Sequence, residues 1–335
     1  MKLSILDQSH IPKGRSAEEA LHYTTELAVL ADRLGYHRFW VSEHHNMTQV
    51  AGSAPEVLLA FLAAKTKHIR LGSGGVMLPH YSAYKVAENF RLLENLAPGR
   101  IDLGVGRAPG GDRLTAAILN PHNDFSEQEF INQLHDLQHY LNDSHEEGSV
   151  QAKVKATPLS THVPEQWVLS SSGQSGYFAA HFGMGFSFAH FINPVGGHVA
   201  VQMYRERFKP SINLKEPQAN FATFMFCSDD EDRVKQVRTV AEYRFIMLET
   251  KGRFDAVDYN DVKDYQYSLM EQERLKFVRQ RFTIGTPAQV KTELTALARQ
   301  YEVDEIMAVN IGIEFEDRLR SYELLAKEFG LKNRE

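Results

Sequence analysis

A serine-rich turn and a distant arginine are the residues best suited to bind an anion in this 335-residue chain. Ser170, Ser171, Ser172 and Ser175 follow an apolar run and lead into a helical pattern. Hydroxyl and backbone N–H groups at a helix start favour a phosphate, to which the helix dipole adds about 0.3–1 kcal/mol. Arg107, just beyond another apolar run, offers a matching positive charge. The alternative is an ordinary serine-rich helix cap.

Glu43, His44 and His45 end a second apolar run and suggest a metal at first sight. Successive side chains on a strand point to opposite faces, so the two histidines do not readily share one ion. We therefore predict no metal site. An imidazole titrates near neutral pH, so we predict a catalytic acid–base or hydrogen-bonding role for His44. The alternative is a structural histidine with its hydrogen bonds satisfied.

Five glycines interrupt two neighbouring apolar runs: Gly72, Gly74, Gly75, Gly104 and Gly106. Glycine weakens the interior of a strand, and five glycines in one motif therefore need a reason. Two interpretations stay open. The glycines allow tight packing inside a barrel, or they let a flat ligand lie against bare backbone.

Two familiar enzyme motifs are incomplete. GVGRAP (104–109) starts like a dinucleotide-binding fingerprint, but a proline stands where the third glycine belongs. GQSGY (173–177) has a tyrosine in place of the last glycine of a nucleophile elbow. Both observations argue against a Rossmann dehydrogenase and a serine hydrolase.

The elements that position these residues alternate along the chain. In 69–111, two short apolar runs flank a helical period that Pro98-Gly99 ends. Eight such strand candidates are nearly all separated by helices, which predicts one closed (β/α)8 TIM barrel over residues 1–335. A doubly wound open sheet is the alternative. Active sites of such barrels lie at the carboxyl ends of the strands, where the candidate residues fall.

Two excursions interrupt the alternation. Residues 143–164 precede the fifth strand, and residues 251–282 lie between the seventh strand and the eighth helix without a clear sheet partner. The second excursion is long and rich in tyrosine, so we predict that it forms a lid.

Composition limits the function classes. A net charge of −6 without a basic stripe argues against a nucleic-acid partner. The single cysteine, Cys227, excludes an internal disulfide and fits a reducing compartment. No apolar run approaches the ~20 residues that cross a bilayer, and no secretory leader is visible, so we expect a cytoplasmic protein without a membrane partner.

Several segments together resemble the bacterial luciferase-like, flavin-dependent monooxygenases. They are WVSEHHN (40–46), GSGGVMLPH (72–80), RIDLGVGRAPGGD (100–112), the serine turn and DRLRSYELLA (317–326). The resemblance covers almost the whole chain and is greatest to the uncharacterised single-chain members. Light-emitting members have a cysteine at the position of Gly106 and a glutamate at that of Ser171, so light emission is not expected.

The resemblance implies that FMN binds with its ring over the ends of the third and fourth strands. His44 would be the catalytic imidazole, and the Gly74–Gly75 peptide would be cis. The implied cofactor-binding residues are strand-end glycines, an arginine and the serine turn: Gly74, Gly75, Gly106, Arg107, Ser170, Ser171, Ser172 and Ser175.

The implied reaction uses O2 and FMN reduced by a separate reductase, because the sequence has no nicotinamide-binding motif. The small organic substrate would lie in a pocket or under a lid formed by Glu43, Met77, Phe188 and Tyr265. A homodimer through the second and third helices is also implied. Alternatives are a deazaflavin-dependent oxidoreductase of the same fold, a non-catalytic flavin-binding subunit and an unrelated barrel hydrolase.

Overall fold

Eight parallel strands form a closed barrel in this computed structural model, which describes residues 1–253 and 256–334. The barrel strands are β1 (Lys2–Asp7), β2 (Arg38–Val41), β3 (Arg70–Met77), β4 (Ile101–Gly106), β5 (Glu165–Ser170), β6 (Gly185–Ala189), β7 (Ala219–Cys227) and β9 (Glu305–Asn310). Each pairs with the next in parallel, and the β6–β7, β7–β9 and β9–β1 pairings close the ring. The predicted (β/α)8 barrel is confirmed.

Helices connect the strands and cover the outside of the barrel. They are α1 (Ala17–Leu34), α2 (Pro55–Lys65), α3 (Ala83–Leu96), α4 (Arg113–Leu119), α5 (Glu127–Asn142), α6 (Gln174–Phe182), α7 (Gly197–Arg207), α8 (Glu231–Lys251), α9 (Tyr259–Val262), α10 (Leu269–Val278), α11 (Pro287–Tyr301) and α12 (Phe315–Phe329). Ser16 and Glu19 form the capping box that starts α1, as the S-x-x-E pattern indicates. No helix within the described ranges combines the length and apolar character needed to cross a membrane.

A ninth strand, β8 (Phe282–Gly285), corrects the predicted layout of the second excursion. Phe282 was expected to lack a sheet partner, but it pairs with Phe224, and β8 continues in parallel along the second half of β7. Four residues are too few to show a strand period, so the sequence pattern did not reveal it. The rest of the excursion holds α9 and α10, and its residues 254 and 255 lie outside the described ranges.

Two tryptophans fill the barrel interior. The rings of Trp40 on β2 and Trp167 on β5 meet edge to face, with centroids 5.5 Å apart. Both side chains are fully buried, and the guanidinium of Arg38 lies 4.8 Å from the centre of the Trp167 ring. The interior is therefore a packed core at this level, as in other barrels of this type.

A buried ionic network closes the amino-terminal end of the barrel. Arg38 donates to Asp102 at 2.9 Å and to Glu305 at 3.0 Å, and Arg70 donates to Asp102 at 2.9 Å. Trp40 Nε1 also donates to Asp102, at 2.9 Å. The guanidinium groups lower the pKa of the Asp102 carboxyl despite its complete burial. Charges at such a site need partners of this kind because desolvation is expensive.

Candidate functional site

The glycines of β3 make room for the interior tryptophan. A Cβ atom on Gly72 would lie 2.6 Å from Trp40 Nε1, and one on Gly74 would lie 2.8 Å from Leu6 Cδ1 and 3.2 Å from Trp40 Cβ. Of the two interpretations left open by the sequence, tight packing therefore accounts for Gly72 and Gly74.

Gly75 and Gly104 allow β3 and β4 to approach each other closely. A Cβ atom on Gly75 would lie 2.8 Å from the carbonyl oxygen of Gly104, and one on Gly104 would collide with the carbonyl oxygen of Ser73. The Gly74–Gly75 peptide is cis, as predicted, and the β3–β4 register shifts between Gly74 and Val76.

Gly106, the buried last residue of β4, is the glycine of this group at which an added Cβ atom would meet only ordinary van der Waals contacts. Among the described residues, the atoms nearest to a Cβ added there are Met77 Sδ at 3.8 Å and the Leu169 carbonyl oxygen at 4.0 Å. Met77 ends β3, so its side chain and the bare backbone of Gly106 lie together at the carboxyl ends of adjacent strands. A flat ligand could approach the main chain here.

Arg107 lies beside the start of α6. Its Nη2 donates to Gln174 Oε1 at 3.2 Å, and its Nη1 lies 3.9 Å from Glu127 Oε2. The Gln174 amide in turn donates to Glu127. Within the described chain, no side chain caps α6, whose cap position is Gly173, so its first N–H groups can receive an anion.

The serine turn links β5 to α6. The N–H of Ser172 donates to Ser170 Oγ at 3.0 Å, and the carbonyl oxygen of Ser171 accepts from Asn193 at 3.2 Å. Ser175 is buried in the first turn of α6. The structure thus brings the turn next to Arg107, although the two are far apart in the sequence.

His44 follows β2 at the mouth of the barrel. Its N–H donates to the Gly52 carbonyl at 2.9 Å, and its Nδ1 lies 3.1 Å from Ser42 Oγ. Burial, followed by the charge of His45, lowers the pKa of the His44 imidazole. The ring is therefore neutral at neutral pH, and Nε2 is the ring nitrogen that Ser42 does not engage.

Glu43 is fully buried and joins the ends of β2 and β3. Its Oε1 accepts from Tyr81 Oη at 2.8 Å and contacts His45 Nε2 at 2.7 Å, while its Oε2 accepts from the N–H of Met77 at 3.0 Å. These contacts occupy both oxygens, so Glu43 positions the neighbouring backbone instead of facing a pocket. The sequence did not reveal this role, because all of its partners except His45 are distant along the chain.

Two residues predicted for the pocket or lid lie in packed surroundings. Phe188 packs against Tyr301 of α11, with ring centroids 6.0 Å apart, in the layer between sheet and helices. Tyr265 donates to Glu271 at 3.1 Å and meets the Tyr243 ring at 5.0 Å. Strand alternation explains the placement of Phe188, since side chains on β6 face the barrel and the helices in turn.

A charged group lies at the end of β1, a strand-end position that the barrel rule selects but that is not among the predicted cofactor-binding or pocket residues. Asp7 accepts from Thr24 at 2.5 Å and pairs with Arg318 of α12. Burial, then the charges of Arg244 and Arg318, lowers the pKa of nearby His10 to about 4. The position of Asp7 at a strand end was the available signal, but its partners on α1 and α12 could not be read from the sequence.

The family model described as luciferase-like monooxygenase matches residues 1–304. The chain belongs to the luciferase-like monooxygenase family. The uncharacterized protein YwcH of Bacillus subtilis (strain 168) is 47% identical, over 98% of this chain and 99% of the relative. The N-acetyl-S-alkylcysteine monooxygenase of the same organism is 36% identical, over 97% of both chains. The predicted family and the predicted enzyme class are confirmed.

Solved structures agree with this assignment. Apo-MsnO8 has a TM-score of 0.89 at 35% identity, covering 99% of both chains. Two distant structures share the fold. The oxygenating constituent of 3,6-diketocamphane monooxygenase of Pseudomonas putida, in complex with FMN, has a TM-score of 0.72 at 19% identity and covers 98% of this chain and 97% of that one. An F420-dependent secondary alcohol dehydrogenase has a TM-score of 0.68 at 11% identity, covering 98% of both chains.

Proposed function

We propose that this family member is a monooxygenase that takes reduced FMN from a separate reductase and uses O2 to oxidise a small organic substrate. The observation that carries the proposal is the group at the ends of β4 and β5. A Cβ atom on Gly106 would meet only van der Waals contacts at 3.8 and 4.0 Å, and the guanidinium of Arg107 lies beside the uncapped start of α6. A flat ring that ends in a phosphate fits this combination of a level backbone surface and an anion site.

The roles of the chain's own residues follow from this arrangement. Arg107 and the first N–H groups of α6 bind the phosphate, with Ser170, Ser172 and Ser175 close to it. The backbone at Gly75 and Gly106 lies against the ring. Reduced FMN, when bound, supplies the electrons for the reaction with O2.

His44 acts as the acid–base residue. Ser42 Oγ lies 3.1 Å from its Nδ1, and in the tautomer whose Nδ1–H donates to this hydroxyl the lone pair is at Nε2. Because the pKa of the imidazole is lowered, Nε2 of this tautomer can accept a proton at neutral pH. With an ordinary pKa, part of the protein molecules would carry a protonated His44 ring near neutral pH.

The relative that acts on N-acetyl-S-alkylcysteine makes small N-acylated thioethers the first substrates to test. A deazaflavin coenzyme is the second cofactor to test, because the F420-dependent neighbour shares the fold. A homodimer through α2 and α3 belongs to the same proposal, since both helices expose apolar side chains.

The deciding experiment is a titration of the purified protein with FMN, riboflavin and a deazaflavin, followed by ring fluorescence. We expect FMN to bind more tightly than riboflavin, because Arg107 and α6 recognise the phosphate. Photoreduced FMN consumes the same amount of O2 whether hydrogen peroxide or an oxygenated product forms, so the yield of oxygenated N-acetyl-S-alkylcysteine then separates an enzyme from a passive binder. Preference for the deazaflavin, or equal affinity for FMN and riboflavin, would overturn the proposal.

A further inference from the structure

A cavity of about 210 Å³ lies outside the proposed flavin site, between the end of α5 and the first excursion. Two histidines and two carboxylates line it: His139, His145, Asp143 and Glu147. Imidazole and carboxylate groups are ordinary ligands of divalent metal ions, so the lining contains groups that could bind one.

His135 and His139 converge on one point at the edge of this cavity. They are four residues apart on α5 and therefore share one face of the helix. Their Nε2 atoms are 3.0 Å apart. The ring of His145, in the loop after α5, stacks on His139 with centroids 5.2 Å apart.

The contact with Ser144 determines which nitrogen of His139 carries the proton. His139 Nδ1 lies 2.8 Å from the carbonyl oxygen of Ser144, which can only accept, so this nitrogen carries the proton. His139 Nε2 then has a bare lone pair when the ring is neutral. With its proton on Nε2, His135 donates a hydrogen bond to this lone pair across 3.0 Å. With its proton on Nδ1 instead, 3.5 Å from Asp136 Oδ1, two lone pairs face each other and a cation bound to both nitrogens would separate them.

A transition-metal ion fits the separation of the two nitrogens. Metal–imidazole bonds of ~2.0–2.1 Å that meet at a right angle place the nitrogens roughly 2.9 Å apart. Right-angled nitrogen ligands are typical of tetragonal Ni(II) and Cu(II) sites. A backbone carbonyl and a carboxylate on the far ring nitrogens are also the usual outer partners of metal-binding histidines. Ser144 and Asp136 supply them here.

We propose that His135 and His139 bind a divalent transition-metal ion of the Ni(II) or Cu(II) type, with water in the remaining positions. Among the described residues, no group of three or more His, Cys, Asp or Glu side chains already has metal-binding geometry, so the protein supplies two ligands in this conformation. His145 is the third candidate. Its buried Nε2 has no hydrogen-bond partner in the part of the chain that the structure describes. Binding would link α5 to the loop that begins the first excursion.

The test is calorimetric titration of the full, untagged chain with Ni(II) alone. We expect one equivalent to bind, and His135→Ala or His139→Ala to weaken binding by at least ~10-fold. His22→Ala, on the exposed face of α1, is the matched control and should bind as the parent does. Circular dichroism confirms that each variant remains folded.

Electron paramagnetic resonance with one equivalent of Cu(II) provides a second measurement. The parent should show two coordinated imidazole nitrogens, and His139→Ala should show fewer. Equal Ni(II) affinity of the parent and the His135→Ala/His139→Ala double variant would overturn the assignment, as would the absence of Ni(II) binding by the parent.

Discussion

Arg107 carries the charge on which the proposed phosphate site depends, and a carboxylate stands next to it. Arg107→Ala should weaken FMN binding by about 1.5–3 kcal/mol, as expected for a charge-assisted hydrogen bond.

Glu127 Oε2 lies 3.9 Å from Arg107 Nη1 and would repel an incoming phosphate. Glu127→Gln should therefore strengthen FMN binding, by up to ~1 kcal/mol for a pair this exposed. Fluorescence titration measures both changes.

Riboflavin is the control ligand for this pair of variants, because it lacks the phosphate. Its affinity should change in neither variant. Glu129→Gln is the control residue, since Glu129 lies in the same turn of α5 and donates its backbone N–H to Ser126 whatever its side chain. An unchanged FMN affinity in Arg107→Ala would remove Arg107 from the phosphate site.

His44 is the residue to which the proposed proton transfer is assigned. His44→Ala should leave FMN affinity unchanged and lower the rate of formation of the oxygenated product by ~10²–10⁴-fold, the usual contribution of an acid–base group. Ser42→Ala is an informative companion, because it removes the contact to Nδ1 and keeps the imidazole. If the His44→Ala enzyme turns over like the parent, the imidazole is structural.

At the scale of single residues, the sequence predicted positions better than roles. Gly106 and Arg107 lie at the end of a barrel strand, as the sequence pattern indicates, and their part in binding a cofactor stays a prediction. The role of Gly72 was not predictable, since only the fold shows that Trp40 occupies the space where its side chain would be. The buried contacts of Glu43 depend on Tyr81 and Met77, which no local pattern connects to it.

At the scale of elements, the barrel strands were predictable because short apolar runs alternate with helical patterns, some of which begin at a capping serine such as Ser16 of α1 and Ser126 of α5. The exception is β8, whose four residues are too few for a visible period. Its pairing with β7 exists only because the barrel brings Phe224 beside Phe282. For short segments, tertiary contacts of this kind determine whether a strand forms, because the local sequence preference is weak.

The strands β2, β3 and β4 are linked at the amino-terminal end by one buried carboxylate, Asp102, which accepts from Arg38 and Arg70. Asp102→Ala leaves the Arg38 guanidinium without one of its partners and should lower the free energy of unfolding by ~3–5 kcal/mol. Urea denaturation followed by tryptophan fluorescence measures the loss. Asp264→Ala, at an exposed position, should change stability by less than ~0.5 kcal/mol. Equal midpoints for the two variants would contradict the importance of the network.

At the scale of the whole molecule, buried histidines make stability depend on pH. Burial lowers the pKa of His10 to about 4 and that of His37 to about 3. Above an ordinary pKa of ~6.5 both states hold these rings neutral, so the stability is fully present. As the pH falls below this value the unfolded chain takes up protons first. Stability then falls by up to ~1.4 kcal/mol per pH unit for each ring, until the folded pKa is reached.

Urea midpoints at several pH values between neutrality and mild acid test this dependence. His37→Gln should show a shallower loss of stability with acid than the parent, because one proton-binding group has been removed from the unfolded chain. His22→Gln is the matched control, as this exposed ring lies on the surface of α1. Parallel curves for the parent and His37→Gln would show that the ring does not contribute.

Exposed apolar side chains on adjacent helices support the proposed dimer. Val57 and Phe61 on α2 are 69% and 51% exposed, and Leu92 and Leu96 on α3 are 51% and 60% exposed. Contiguous apolar surface of this kind usually marks an interface.

Light scattering of the parent protein should give twice the 38.1 kDa chain mass. Phe61→Glu should give the mass of one chain, because a carboxylate at the interface must lose its hydration. Leu269→Glu on α10, where the parent side chain is 82% exposed, should stay dimeric. A parent protein of 38.1 kDa in solution would contradict the dimer and would leave this apolar surface in need of another partner.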